Sequence, residues 1–434
     1  MKTREMTRTA CGVVWLGAAV LAGACGAPQA EPPAGGPAEA IESPVPDDPE
    51  AIRSFTIRVE DEVLEDLDRR LASTRWPNAI DGSGWDYGID LAYMRDLVDH
   101  WQNGYDWRAW EQTLNALDQF TTTIDGLDVH FIHQRSPHPE ALPLVLVHGW
   151  PGSVVEFHEI IGMLTEPEQH GGRPEDAFHV VAPSLPGFGF SDAPTEPGWG
   201  VNRMSAVVAD LMARLGYERY GAQGGDWGAG VVRWLGSYDS ERVVGYHTNF
   251  PGGSPADPDD QWNGVTDQER QRLESRRAET ENHRAYGQIQ RTRPLTLGFA
   301  LNDSPAGQAA WIIDKFWAWS DHGGDLDNSF TKDELLTNVM VYWITETGPT
   351  SARIYYERGA YTGGREAGVV PVGVAVFPKE INVPPRRWVE NRYGESLVHY
   401  TEMPRGGHFA AMEEPELLAE DIRTFFRTLR LSLR

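Results

Sequence analysis

The run GGDWG, residues 224–228, follows an apolar, strand-like lead-in and precedes a helix-like run, GAGVVRWLGSY. A strand-to-helix elbow of this kind normally lifts a serine, as in G-x-S-x-G; here Asp226 holds the raised position. A serine must pass its proton to a histidine before it attacks. A carboxylate is already an anion at neutral pH, so Asp226 suits direct attack on a saturated carbon, forming an ester. Glu380 follows the apolar run VAVFPK, and His408 follows RGG after a further strand-like run. The chain order is nucleophile, acid, histidine, the order of a hydrolytic triad at the carboxyl ends of a parallel sheet. His408 would then be the general base that activates water against the ester, and Glu380 would orient the imidazole and stabilise its cation. The oxyanion formed in that step needs donors. The backbone N–H of Trp227 supplies one, and that of Trp150, in the loop HGWP after the first parallel-type strand, a second. Taken singly, an Asp among glycines reads as a turn residue, and a lone His or Glu as a hydrogen-bonded or solvated one. Elbow, order and strand-end placement together make the triad.

Such a triad needs a sheet under it. FTTTI-DG-LDVHFIHQ alternates about Asp125-Gly126, a two-residue hairpin signal. LPLVLVHGW, FHVVAPSL, YGAQGGD and VVGYHTNF are short apolar runs separated by helical patterns such as EFHEIIGML and SAVVADLMARLGY. Strands alternating with helices predict an α/β fold, a mostly parallel sheet with helices on both faces. The alternation stops after Phe250 and resumes with VPVGVAVFPKEI, SLVHYTEM and the closing helix PELLAEDIRTFFRTL. The predicted organisation is a mainly helical N-terminal domain at 52–119, core at 120–251, a helical lid insertion at 252–365 and core again at 366–434. In the N-terminal domain Val63, Leu64, Leu67 and Leu71 are placed on one helix face. In the lid, Trp311, Trp317 and Trp319 read equally as pocket lining or as packing.

HGWPGS, PSLPGFGFSDAP, GGDWG, LNDSP and RGGHFAAMEEPELLAEDIR, with DWRAWEQTLNALDQFTTTIDGLDVHFIH before them, resemble the microsomal-type epoxide hydrolases of the α/β-hydrolase superfamily. The resemblance runs from about Ile52 to the end of the chain. It implies Asp226 as nucleophile, His408 as base and Glu380 as orienting acid. It further implies two lid tyrosines that hydrogen-bond the epoxide oxygen and protonate the departing alkoxide: Tyr286, in AYGQIQRTRP, and Tyr355, in SARIYYERG, which fits the family's Arg-apolar-Tyr pattern in preference to Tyr356. Phenols suit that task, since they stay protonated at neutral pH. The implied substrate is a small apolar epoxide, hydrolysed to a vicinal diol without cofactor or metal.

The two cysteines, Cys11 and Cys25, lie at the N-terminus, so the body of the chain has no disulfide and no cysteine nucleophile. MKTREMTRT precedes an apolar core of about 15 residues, the length of an export signal and too short to span a bilayer. It ends in LAGAC, which resembles a bacterial lipobox with Cys25 as the lipidated residue, although Ala22 stands where leucine is usual. Residues 1–25 therefore read as an export signal, and the Pro-, Ala- and Gly-rich residues 26–51 as a tether. The expected location is the cell envelope as a lipoprotein, or else a secreted or periplasmic state. A formal net charge of -26 disfavours nucleic acid and anionic lipid as partners, leaving a lipid on Cys25 as the one membrane contact. Two other readings stay open. A haloalkane dehalogenase would use the same aspartate, ester and histidine, and a non-catalytic lipoprotein would keep the fold for ligand binding alone.

Overall fold

The structure, a computed structural model, describes residues 48, 50–357 and 370–433. The export signal, the lipobox Cys25 and nearly all of the tether lie outside the described residues, as do 358–365 of the expected lid and 366–369 of the expected second core part. Among the described residues, no helix is long and apolar enough to cross a membrane.

Among the described residues, nine strands form one sheet: β1 (Arg53–Ser54), β2 (Gln119–Ile124), β3 (Leu127–Gln134), β4 (Leu142–Val147), β5 (Phe178–Pro183), β6 (Tyr220–Gly224), β7 (Val243–Thr248), β8 (Val372–Val376) and β9 (Leu397–Glu402). Their order is β1-β2-β3-β5-β4-β6-β7-β8-β9. The pairs from β5 through β9 are parallel, and β1, β2 and β3 extend one edge antiparallel. Asp125 (φ 52°) and Gly126 (φ 79°) make the β2–β3 turn with two left-handed residues, as the Asp-Gly pair predicts.

Side-chain alternation along β4 sorts the core into two layers. Leu144 and Leu146 face α4 (His158–Thr165) and the C-terminal α15 (Pro415–Leu433), packing with Ile161, Leu164, Ile422 and Phe426. Val145 and Val147 face α5 (Val201–Arg214) and α6 (Asp226–Tyr238) with Val208, Leu211, Val232 and Leu235. A buried polar knot ties α15 to the sheet: Asp421 accepts from His247 of β7 and from His399 of β9, each at 2.9 Å.

The N-terminal helices are α1 (Asp61–Ala72), α2 (Leu91–Asn103) and α3 (Trp107–Asn115). The Asp90 side chain caps α2 by accepting from Ala92 N–H, and Asp106 caps α3. On α1, Leu67 and Leu71 are buried, but Val63 is 38% exposed, against expectation. It stands in the first turn, at the margin of the stripe. Two residues of this N-terminal segment also form a strand, since Arg53–Ser54 pairs with β2 at the sheet edge.

Between β7 and β8 come α7 (Asp267–Glu281), α8 (Ala285–Thr292), α9 (Pro294–Asp303), α10 (Pro305–Trp319), α11 (Lys332–Ile344) and α12 (Gly348–Tyr356). Thr266 with Glu269 and Thr331 with Glu334 start α7 and α11 with reciprocal capping boxes. The lid is bolted to the core at the HGWPGS loop. Asn338 donates to Pro151 O (2.8 Å), Tyr342 donates to Gly152 O (2.5 Å) and Ser153 donates to Asn338 Oδ1 (2.8 Å). Beyond β8 lie α13 (Arg386–Tyr393) and, after β9, the short α14 (Ala410–Glu413).

Candidate active site

The elbow between β6 and α6 is held open by backbone crowding. A Cβ on Gly228 would stand 2.0 Å from Val147 O and 2.9 Å from His148 O, so only glycine lets α6 start this close to β4. Asp226 itself has φ 46°, a left-handed conformation that non-glycine residues rarely adopt outside functional sites. The strain turns the carboxylate away from the helix and toward the ends of the parallel strands. There Asp226 Oδ1 accepts from Trp150 N–H at 2.8 Å. The second residue of α6, Trp227, carries one of the N–H groups that a helix N-terminus leaves without an intrahelical acceptor.

His408 lies in the loop after β9, 6% exposed. Its Nε2 is 3.5 Å from Asp226 Oδ2, and its Nδ1 donates to Glu380 Oε1 at 2.6 Å. The imidazole is boxed by the rings of Phe250, Trp319 and Phe409, at centroid distances of 5.7, 5.2 and 5.1 Å. Burial would depress its pKa, but the Glu380 and Asp226 carboxylates prevail and push it up to about 10.

His408 and its partner Glu380 are both fixed from the lid side. His408 N–H donates to Trp319 O, the last residue of α10. Glu413 accepts from Phe409 N–H (2.9 Å) and Asp321 N–H (2.8 Å), and Asp321 accepts from Gly406 N–H (3.0 Å). Arg276 of α7, 6% exposed, donates to the carbonyls of Glu380 (2.8 Å), Lys379 (2.6 Å) and Ala318 (3.0 Å). Glu380 is 1% exposed. Its Oε1 also accepts from Ile381 N–H, while its Oε2 is buried without a hydrogen-bond partner.

Facing the carboxylate from the lid are Tyr286 of α8 and Tyr355 of α12, their hydroxyls 3.3 Å apart. Trp150 lies between them and the core. Its ring stacks on Tyr286 (5.2 Å, 10°) and meets Tyr355 edge-on (5.6 Å, 88°), while Trp227 meets Tyr355 from the other side (4.8 Å, 79°). Tyr356, the neighbouring candidate, is 57% exposed. Burial raises the pKa of both buried phenols, and the Asp226 charge raises it further, so each stays protonated well into the alkaline range. Lys315 of α10, 5% exposed, sets its ammonium 4.8 Å from the Tyr286 ring centre and pairs with Asp314.

All seven residues singled out in the sequence thus converge on one point: Asp226, His408, Glu380, Tyr286, Tyr355, Trp150 and Trp227. The three lid tryptophans divide. Trp319 touches both Tyr286 and His408, Trp317 stacks on Trp85 of the N-terminal segment (4.1 Å, 1°), and Trp311 donates to Gln290. Sequence reasoning missed Arg276, Lys315 and Glu156, which reach the site from positions with no strand-end or motif signal, and Glu413, which lies within the RGGHFAAMEEPELLAEDIR run without being singled out. It also missed His158, Glu159 and Glu334, whose ligand atoms gather within 4.8 Å of one another away from the triad. The Glu334 carboxylate there already caps α11.

The profile described as epoxide hydrolase N terminus matches residues 52–157, and that of the alpha/beta hydrolase fold matches 143–295. Epoxide hydrolase 1 of Sus scrofa is 38% identical over 411 residues, covering 88% of this chain and 89% of that protein. Among solved structures, the juvenile hormone epoxide hydrolase of Bombyx mori superposes with a TM-score of 0.80 at 31% identity, covering 89% of this chain and 96% of the other. The Aspergillus niger epoxide hydrolase gives 0.78 at 32%, covering 87% and 97%.

Proposed function

The chain belongs to the microsomal-type epoxide hydrolase family and is a hydrolase, and from that premise we propose that it converts apolar epoxides to vicinal diols through a covalent ester on Asp226. The observation that carries this reading is the division of labour on one carboxylate. Oδ1 is engaged by Trp150 N–H, whereas Oδ2 stays available 3.5 Å from His408, opposite two phenols.

In the first step Oδ2 attacks an epoxide carbon. The C–O bond breaks, and the alkoxide takes a proton from Tyr355 or Tyr286. The Asp226 charge that had raised both phenol pKa values is consumed in the same event, so the phenols become stronger acids as the alkoxide forms. The same loss acts on His408. With one of its two carboxylate partners neutralised as an ester, the imidazole is released toward its neutral form, the form a general base requires. Alkylation therefore arms the second step.

In that step His408 Nε2 takes a proton from water, whose oxygen bonds to Asp226 Cγ. The N–H groups of Trp150 and Trp227 stabilise the oxyanion on Oδ1. Collapse breaks the Cγ–O(alkyl) bond, the leaving alkoxide takes the proton from His408, and the second water proton passes from the new Asp226 carboxyl to the tyrosinate, giving the diol and regenerating carboxylate, imidazole and phenol. The diol thus carries away an aspartate oxygen. One turnover in 18O-water with enzyme in excess is expected to place label in the peptide bearing Asp226 and none in the first diol. Label in that diol with an unlabelled peptide would overturn the reading. The facing tyrosines favour an epoxide over a haloalkane, and halide release from chloroalkanes measured beside diol formation separates the two. Separately, from LAGAC we propose a lipoprotein of the cell envelope in preference to a secreted or periplasmic enzyme, with lipid incorporation at Cys25 as the check.

A further inference from the structure

A second acid lies behind the nucleophile, unused by the steps above. Glu156 sits in the turn that follows the HGWPGS loop, and its carboxyl folds back over Gly152: a Cβ there would fall 1.2 Å from Glu156 Oε1. The loop backbone is thus left bare at the one place where this carboxyl needs room. Beside it is a cavity of about 20 Å³, lined by Glu156, Asp226, His408, Gln223 and Asn249. That space holds about one water, with enough polar groups around it to hydrogen-bond one.

The amides are already committed to the wall. Gln223 Nε2 donates to Asn249 Oδ1 (3.0 Å), and Asn249 Nδ2 reaches His408 O (3.5 Å). Of the titratable groups lining the cavity, His148 is engaged by Leu185 N–H and Gly149 O, and His408 Nε2, Asp226 and Glu156 remain to orient a water. The charged or titratable groups acting on Glu156 are Asp226 and His408, and Glu156 acts in turn on Tyr342 of α11. Burial, with the Asp226 anion adding to it, pushes the Glu156 carboxyl up to about 8, against the pull of His408 and of a hydrogen bond from the Ser153 backbone. It is therefore a neutral acid at pH 7, able to accept from a water through its carbonyl oxygen without adding charge beside the ester.

We propose that Glu156 is a positioning residue for hydrolysis: it holds the attacking water in this cavity, between His408 Nε2 and Asp226 Cγ. The inference rests on the reading of Asp226 as nucleophile. One water proton is held by Glu156, the other is taken by His408, and the oxygen lone pair is left facing Cγ. Glu156 makes and breaks no covalent bond.

The test is a rapid-quench single turnover of the full chain with styrene oxide, following ester formation and decay by intact mass. In Glu156→Leu, ester formation is expected to match wild type, while decay slows by about 10²-fold, the effect of a misplaced reactant. The steady-state kcat and KM then fall together. Glu156→Gln keeps a carbonyl acceptor and is expected to restore decay to near the wild-type rate. Wild-type decay is expected to decline on the alkaline side, where the Glu156 anion opposes charge building on Oδ1, and Glu156→Gln to lose that decline. Equal slowing of formation and decay in Glu156→Leu, unchanged decay there, or an alkaline decline that survives in Glu156→Gln would each overturn the assignment. Wild-type enzyme that forms no ester overturns the Asp226 reading itself. An ester whose decay ignores Glu156 overturns this inference alone.

Discussion

Replacing Glu380 with glutamine separates the two half-reactions. The wild-type carboxylate lies 2.6 Å from His408 Nδ1, and both groups are buried. One carboxylate oxygen has no partner, and the groups that bond the carboxylate directly are Ile381 N–H and the imidazolium. Taking the two charge centres as about 4 Å apart with an effective dielectric constant of about 20, their attraction is about 4 kcal/mol. Glutamine keeps shape and an acceptor but removes that attraction, which corresponds to about 10³-fold in the population of the imidazolium-like transition state. Allowing for the retained hydrogen bond, ester decay in Glu380→Gln is expected to slow by about 10²–10³-fold. Ester formation asks nothing of His408 as a base and is expected to stay near the wild-type rate. Enzyme mixed with a small excess of epoxide, quenched in acid and weighed intact, should therefore accumulate a substrate adduct that wild type does not retain. The pKa of His408 also loses its main upward influence, so the acid limb of ester decay moves to lower pH even as its plateau falls. Formation slowed as much as decay, or decay unchanged, would refute the reasoning.

Tyr355→Phe and Tyr286→Phe each remove one of two donors facing the epoxide oxygen. Each is expected to slow ester formation by about 10²-fold and leave decay unchanged, with the double variant nearly inactive in the same quench assay. Asp421→Asn keeps an acceptor for only one of His247 and His399, turns an amide N–H toward the other, and is expected to destabilise the fold by about 1–3 kcal/mol, read as a lower thermal midpoint. Burial acts against the Asp421 carboxylate, but its histidine bonds hold its pKa well below the ordinary value. Its stabilisation is therefore complete above about pH 4 and is lost as pH falls toward the folded-state pKa, so the deficit of the variant should be constant between about pH 5 and 8 and shrink below about pH 4. Gly228→Ala drives a methyl into Val147 O, backbone that cannot retreat, and is expected to lose about 1–3 kcal/mol of stability together with alkylation, measured by melting and burst amplitude.

The parts of the site legible in the sequence are those that topology writes into local pattern. An aspartate in a glycine elbow, a Gly-Gly-His after the last strand and an acid after the strand before it are placed by the sheet alone. The two tyrosines carry no such mark. They fall on lid helices with no strand end nearby, and only family resemblance singles them out. Glu156 is less visible still. In sequence it is one acid in a helical pattern, and its importance lies in Gly152, four residues earlier, leaving space for its carboxyl. Arg276, deep in a stretch that reads as a charged surface helix, is buried because its guanidinium satisfies three carbonyls at the acid loop, a long-range fact with no periodic signature. Val63 errs in the opposite direction, since helical spacing marks a face without marking where the partner surface ends.

Trp150 belongs to both halves of the site at once. Its amide grips the carboxylate while its indole is wedged against the phenol pair, and the residue is 2% exposed, with no slack on either side. A bulky guest that presses the phenols outward therefore tugs on the strap around the aspartate. Tolerance for size and speed of ester turnover are geared together through one side chain, and enlarging the enzyme's repertoire by lid mutation alone should exact its toll at the far end of that lever.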